Sequence, residues 1–562
     1  MDFKRLFFIS GLVISGYLLL LQWVDYSERP PTHEAAELNQ NLVVDTDTAA
    51  EVPQVELDSP TVTTQNDDLP TVQVTDPVPS VAANQASHVE VVTDTMNLRI
   101  NLVGGDIDFI SLPQFPVSLD QPDVPFVMLD TRERTYVAQS GLVGPDGPDA
   151  QGRTLYQVNQ TRFEQLPNQP LEVVLTHETD DKVVEKIFRF EPGSYSIEIE
   201  HQIQNRSEQA LGMAKFGQIK RDQSPDPSSS GGFGLQSYLG FALSTDQDNY
   251  NKVSNRNLRR NAINESSRGG WIAFMQHYFV SAWVPPTNQQ NQFYALPTND
   301  GMFRGGFTGP VFNIAPGETA TVGAVFYSGP KDQPSLREIE PNLHLTVDYG
   351  WLWWIAQPLF RVLTFFQGFV GNWGVAIILL TLTVKALFFY PSAKAYKSMA
   401  KMRALAPKLQ QLKEQIGDDR QKMGQEMMKL YKKEGVNPLG GCLPILIQMP
   451  VFIALYWVLM ESVELRQSPF FLWITDLSLR DPYFILPILM GASQYVQMKL
   501  GTQPQDPMQQ KIFAMMPFIF TFLFMWFPAG LVLYWLTNNL LSIAQQWLIN
   551  RQVEASMAAK KS

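Results

Sequence analysis

Hydrophobic and polar positions divide this chain into stretches of different character. Leu6 to Val24 (LFFISGLVISGYLLLLQWV) is a nineteen-residue run without charge, enough to cross about 30 Å of hydrocarbon as a helix. Lys4 and Arg5 precede it, which keeps the N-terminus on the cytoplasmic side. The run is long for a signal h-region, and QWVDYSERPP offers no small-x-small cleavage site. A signal-anchor over 1–27 is the expectation. Pro30 to Leu98 carries twelve acidic residues and no Lys or Arg. It cannot bury enough apolar surface to offset its ordering entropy, so 28–89 reads as a disordered acidic tether.

Over 90–345 the period changes to two. EKIFRFEPGSYSIEIEHQIQN (185–205) alternates on both sides of Pro192-Gly193, as a hairpin with one buried face does, and TATVGAVFYSGP (319–330) repeats the pattern. Gly, Pro, Asn and Asp punctuate these runs. One large antiparallel β-sandwich outside the cytoplasm is predicted. WLWWIAQPLFRVLTFFQGFV (351–370) is rich in Trp and Phe but interrupted by Gln357, Pro358, Arg361 and Gln367. It predicts an amphipathic interfacial helix over 346–371, broken by Gly371-Asn372.

Five spans are predicted next, at about 373–390, 443–460, 483–499, 512–527 and 530–549, which places one over 372–391 and four over 442–550. The shorter ones suit a locally thin bilayer. Residues 392–441 hold eleven Lys/Arg against five acids, whereas 461–482 hold two Arg against four acids. By the positive-inside rule the basic loops and the 551–562 tail, with Arg551, Lys560 and Lys561, are cytoplasmic. That gives six transmembrane α-helices, both termini inside and the β-domain periplasmic. Within 392–441, Met399, Met402, Leu405, Leu409, Leu412 and Ile416 form one helical stripe, and Met423, Met427, Leu430 and Tyr431 a second. A cytoplasmic helical hairpin is predicted, kinked at Pro407 and turned by Gly417, with Asp418 or Asp419 capping its second helix.

Composition agrees with a membrane protein. Only 17% of the 562 residues are charged and 12% are aromatic, against roughly 25% charged in ordinary globular chains. A net charge of -12 argues against general nucleic-acid binding, DNA included, because neutralising phosphates needs a basic surface. With Cys442 as the one cysteine, no intramolecular disulfide or Cys-based metal site can be built. No Walker A loop, HExxH, GxSxG or dinucleotide fingerprint occurs, and the six histidines lie at or before His344 with no helical ligand spacing. No catalytic residue, metal or cofactor is expected.

The unusual residue is Lys385, inside the apolar run GNWGVAIILLTLTVKALFFY (371–390). An ammonium at the bilayer centre costs about 3 kcal/mol on insertion scales. Snorkelling is the plain alternative, because Tyr390 is only about 7–8 Å of helix away. Thr381 shares the lysine's face. Gln448, Thr521, Thr537, Asn538, Asn539, Ser542 and Gln545 lie in other spans. Some of these polar groups would serve helix–helix hydrogen bonds. A lone cation without an acid in the spans would otherwise need water or an anionic visitor, which points to a water-accessible groove. The methionine stripes have two readings as well: contact between the hairpin's own helices, or capture of apolar segments.

Long strings of residues resemble the YidC/Oxa/Alb family of membrane-protein insertases: DYGWLWWIAQPLF (348–360), GNWG (371–374), SMAKMR (398–403), EMMKLYKKEGVNPLGGCLPILIQMPVFIALYWVL (426–459), SVELR (462–466), DPYFILPILMG (481–491), DPMQQKI (506–512) and WFPAGLVLYW (526–535). A weaker likeness, with GGD (104–106) and QSGLVGPDGPD (139–149), extends it to the Gram-negative form with a large periplasmic domain. The resemblance implies a five-helix core after the N-terminal anchor, a periplasmic antiparallel β-supersandwich of mutarotase type without known catalysis, and a hydrophilic groove open to cytoplasm and lipid. Thr381, Gln448, Tyr534 and Trp535 match groove positions, Asn538 joins them from the polar set, and Lys385 stands where the family commonly has Arg. Lysine lacks the bidentate fork, so only a mechanism needing charge and hydration carries over. The hairpin, with Met399, Met402, Arg403, Met427 and Met428, is implied in substrate recruitment. Implied partners are nascent membrane proteins, SecYEG and SecDF, translating ribosomes and membrane lipids, with no ATP hydrolysis. The competing readings are a solute transporter and a membrane-anchored carbohydrate-binding or processing protein.

Overall fold

The computed structural model describes residues 88–228, 237–417, 420–436, 443–501 and 507–559. All belong to the compact unit that begins at Pro60; the preceding unit, Met1–Ser59, lies outside the description. The expected signal-anchor, nearly all of the tether, and the Asp418/Asp419 cap therefore fall outside the described residues.

The N-terminal part is a β-sandwich of an eleven-stranded and an eight-stranded sheet. The predicted hairpin is present: Lys182–Phe190 pairs antiparallel with Ser196–Asn205 across a turn in which Gly193 takes φ 73°. Ile197, Ile199, His201 and Ile203 face inward at every second position, as the pleat of a half-buried strand requires. Thr319–Pro330 forms a central strand of the same sheet, against Ser196–Asn205 on one side and Phe279–Val284 on the other. The sheets close over one apolar core that includes Phe126, Phe188, Phe274 and Trp283. Each such side chain contributes about 1.5–3 kcal/mol on burial.

Helix α1 (Gln333–Ile339) leaves the sandwich, and α2 (Trp353–Val370) covers the interfacial stretch. Gly371 ends α2 in the left-handed region at φ 64°, where a side chain would be strained, and Asn372 starts the next helix by accepting the Val375 N–H at 3.0 Å. That helix, α3 (Trp373–Leu387), is followed by α4 (Phe389–Ala404) at a bend of 69°. The single straight span expected to 391 is thus two helices. Pro391 supplies the reason: it cannot donate to Leu387, and its ring would collide with that carbonyl in a continuous helix.

The hairpin continues as α5 (Ala406–Ile416) and α6 (Arg420–Lys433). Instead of a kink at Pro407 there is a break at Leu405, with Pro407 in the first turn of α5 where no N–H is needed. Met402, Leu405 and Val436 are buried together, flanked by Met399 and Tyr431.

The bundle is completed by α7 (Leu443–Glu461), α8 (Ile485–Leu500), α9 (Pro507–Phe524) and α10 (Ala529–Ala559). The last runs through most of the segment expected to be a separate tail. Ala356, Leu363, Ile377, Leu380, Leu455, Leu459, Met490 and Val532 share one core. Among the described residues no single helix is long and apolar enough to cross a membrane; α3 and α4 satisfy the criterion only as a bent pair.

The sandwich is docked on the bundle. Lys331 Nζ, at the end of its strand, meets Glu461 Oε2 at 3.0 Å, with side chains only 0% and 2% exposed. The Met460 carbonyl lies 2.7 Å from His277 Nε2, and Val463, on the loop after α7, is buried in the sandwich core.

Candidate substrate groove

Lys385 lies in the last turn of α3, where its charge complements the helix C-terminus. Its amine turns inward and donates to Ser542 Oγ on α10 at 2.7 Å. Ser542 in turn donates to its own helix at Asn538 O, 2.7 Å. Among the described residues no carboxylate forms an ion pair with Lys385. One turn earlier, Thr381 is buried and donates to Ile377 O at 2.7 Å. Its hydroxyl proton is thereby engaged, leaving lone pairs to face the bundle.

Gln448, on α7, donates from Nε2 to the hydroxyl of Tyr534 on α10. Tyr534 is wholly buried. Trp535 stands edge-on to Phe452 at 4.6 Å and 5.3 Å from the ring of Phe524. Its indole Nε1 is buried without a hydrogen-bond partner, as are Asn538 Oδ1 and Gln494 Oε1. An unpaired buried polar atom costs about 1–3 kcal/mol, so these atoms inside the bundle mark places suited to water or an incoming polar group.

The structure thus joins the predicted residues through α10. Lys385 reaches it at Ser542 and Gln448 at Tyr534, while Asn538 is one turn from Ser542 and Thr381 one turn from Lys385. Ser542 was visible in the sequence only as one polar residue among several. Its role as the lysine's acceptor depends on how α10 is rotated, which spacing does not report. Gln494 had no sequence signal beyond being polar in an apolar run. Gln545, three residues after Ser542, donates to Phe389 O at 3.2 Å and so ties α10 to the bend between α3 and α4.

The hairpin residues divide. Met402 is buried and Met399 packs beside it, against Leu405 and Val436. Met427 is half-buried and Met428 is 54% exposed. Arg403 is exposed and lines a cleft of about 240 Å³ with Ala400, Asn550, Val553 and Glu554.

A second polar cluster lies inside the sandwich. Lys186, fully buried, donates to Gly104 O at 3.0 Å and Ser140 O at 2.8 Å. Burial lowers its pKa to about 7. His201 is also fully buried, neither ring nitrogen has a partner, and burial beside Lys215 pushes its pKa down. Arg153 pairs with Asp106 and Asp149. Gly105 lies over the cluster at φ 61°, and a Cβ there would come within 2.8 Å of Lys186. Lys186, His201 and Asp149 are wholly buried, and among the described residues no His, Cys, Asp and Glu set could hold a metal ion.

The fold and site together are a β-sandwich seated on an apolar helical bundle, with a lysine turned into the bundle's interior. Residues 365–556 match the 60Kd inner membrane protein family and residues 88–362 the YidC periplasmic domain. The chain belongs to the YidC family. It is 49% identical to the membrane protein insertase YidC of Pseudomonas fluorescens Pf-5 over 577 residues, with all of both chains covered. It is 50% identical to that of Marinomonas sp. MWYL1 over 560 residues, covering 99% of this chain and 100% of the relative. Among solved structures, an active YidC insertase with its first transmembrane domain resolved aligns over 83% of this chain and 93% of its own, at 20% identity and a TM-score of 0.38.

Proposed function

We propose that the chain inserts inner-membrane proteins into the bilayer and helps them fold, alone or beside the Sec translocon, using the Lys385 site as a wet, polar way through the apolar bundle. The observation that carries this reading is the inward course of the Lys385 amine onto Ser542, with unpaired Asn538 and Trp535 atoms on the same helix. A 20-residue apolar segment gains about 6–12 kcal/mol on entering lipid. Each unpaired backbone group of its polar flank costs several kcal/mol on the way across. A hydrated groove lowers that barrier without adding driving force, so no ATP is needed. An acidic tail moving outward gains about 2.3 kcal/mol per charge per 100 mV.

In this reading the signal-anchor and α3, α7, α8, α9 and α10 are six spans, both termini are cytoplasmic and the sandwich is periplasmic. Helix α3, with 15 residues, is only about 22 Å long, so the bilayer thins around the site. The hairpin offers Met428 and Arg403 to arriving chains, and ribosomes, SecYEG and SecDF are the proposed partners.

The test is insertion into proteoliposomes of single-span substrates with short acidic outer tails. Lys385→Ala should lower their insertion several-fold while Lys385→Arg preserves it. Equal insertion by wild type and Lys385→Ala would remove the charge from the mechanism.

A further inference from the structure

The strands Asp106–Ser118 and Gln121–Leu129 form an antiparallel hairpin whose two halves differ. Residues 107–112 and 126–129 are almost all buried, whereas 113–125 are exposed or half-buried. Gln114 and Phe115 still contact the sandwich, and 116–125 form an arm that projects beyond them. Val117, Leu119 and Val124 are exposed near its tip. Pro116, Pro122 and Pro125 interrupt its hydrogen-bonding edges, which argues against strand pairing with a partner. The arm has no Lys or Arg and carries Asp120 and Asp123 at its turn.

The bundle holds this arm. The Arg466 guanidinium donates to Pro116 O at 2.6 Å and Val117 O at 3.3 Å, and Gln467 Nε2 donates to Pro116 O at 2.9 Å. Arg466 also lies over the rings of Phe126 and Phe279. It is five residues past Glu461, the end of α7, on the loop that leads to α8. The start of α2 is anchored at the same end of α7 by Tyr349 and Ser462, and it exposes Trp351, Trp353 and Trp354. The α7–α8 loop exposes Phe471 and, at 87%, Leu472. Exposed Trp and other apolar side chains gathered at the ends of apolar helices are the pattern of a membrane–water interface.

We propose that the arm is a foot on the outer leaflet, with Val117, Leu119 and Val124 seated among lipid headgroups and the first acyl carbons. Seating is shallow, because Asp120 and Asp123 stay hydrated while the apolar side chains enter about 5–10 Å. With no basic residue on the arm, the contact is apolar and does not require anionic lipid. The proposal rests on α7 and α8 spanning the membrane, and the test separates the two.

In a Cys442→Ser background of the full chain, a fluorescent NBD probe is attached at Leu119→Cys, at Ile488→Cys on the exposed face of α8, or at Leu155→Cys. Leu155 bridges Val103, beyond the opposite end of the arm's first strand. The proteins are reconstituted in phosphatidylcholine vesicles containing a lipid with a doxyl quencher near the headgroup. Quenching at 119 should exceed that at 155 by about twofold or more, as shallow seating requires. Quenching at 119 no greater than at 155, with 488 still quenched, would overturn the foot alone. Absence of quenching at both 119 and 488 would overturn the spanning of α8 along with it. Blue-shifted emission at 119 without quenching would mean that protein covers the arm and would also overturn the proposal.

Discussion

Lys331 and Glu461 join the two halves of the molecule through a pair that water does not reach. Removing one partner of such a pair leaves an uncompensated charge and costs about 3–5 kcal/mol, whereas replacing both with apolar side chains is often neutral. Glu461→Gln should therefore lower the denaturant midpoint of the full chain strongly, and Lys331→Met with Glu461→Leu should recover most of the loss. Nearby Glu464 has its pKa raised to about 7 by burial, opposed by a backbone hydrogen bond. Between its ordinary value of 4.5 and about 7 the folded state binds more protons than the unfolded one, so stability falls as pH rises through that window and is level above it. Glu464→Gln should flatten this slope in a pH series of unfolding midpoints. An unchanged slope would assign it to other groups.

The elements were legible to different depths. Alternation marked the Lys182–Phe190 and Ser196–Asn205 hairpin, and Gly371-Asn372 marked the junction of α2 and α3, because strand period and helix caps are local properties of the chain. The bend between α3 and α4 was equally local, at Pro391, but the apolar run across it suggested one straight span. In the hairpin, a helical stripe says that a face is covered without saying by what. Met399 and Met402 could have faced a visiting segment, yet they close on Leu405, Tyr431 and Val436. Deleting 395–434 should leave the remaining helices folded, since their shared core contains none of these residues. Substrate delivery in a complementation assay should fall, and undiminished delivery would show the hairpin to be dispensable.

For the whole molecule, the bundle and the sandwich each have a core of their own and meet through a few polar contacts, with Val463 and Arg466 of the loop after α7 packed on the sandwich side. Deleting most of 100–320 should consequently preserve much of the insertion activity, measured by protease protection of newly made single-span proteins. A carbohydrate-processing protein would lose its activity with the same deletion. The chain by itself determined the order of its parts: a segment of period two, then apolar runs separated by basic and acidic loops, with one lysine where a charge is costly. Those features are set by neighbours within a few residues. Only the tertiary structure decided that Lys385 meets Ser542, 157 positions away, that Lys331 meets Glu461, 130 away, and that Arg466 reaches back to Pro116. Such pairings depend on how each helix is rotated and how the sandwich is seated. Those choices are made by packing many side chains at once, and no single periodicity records them.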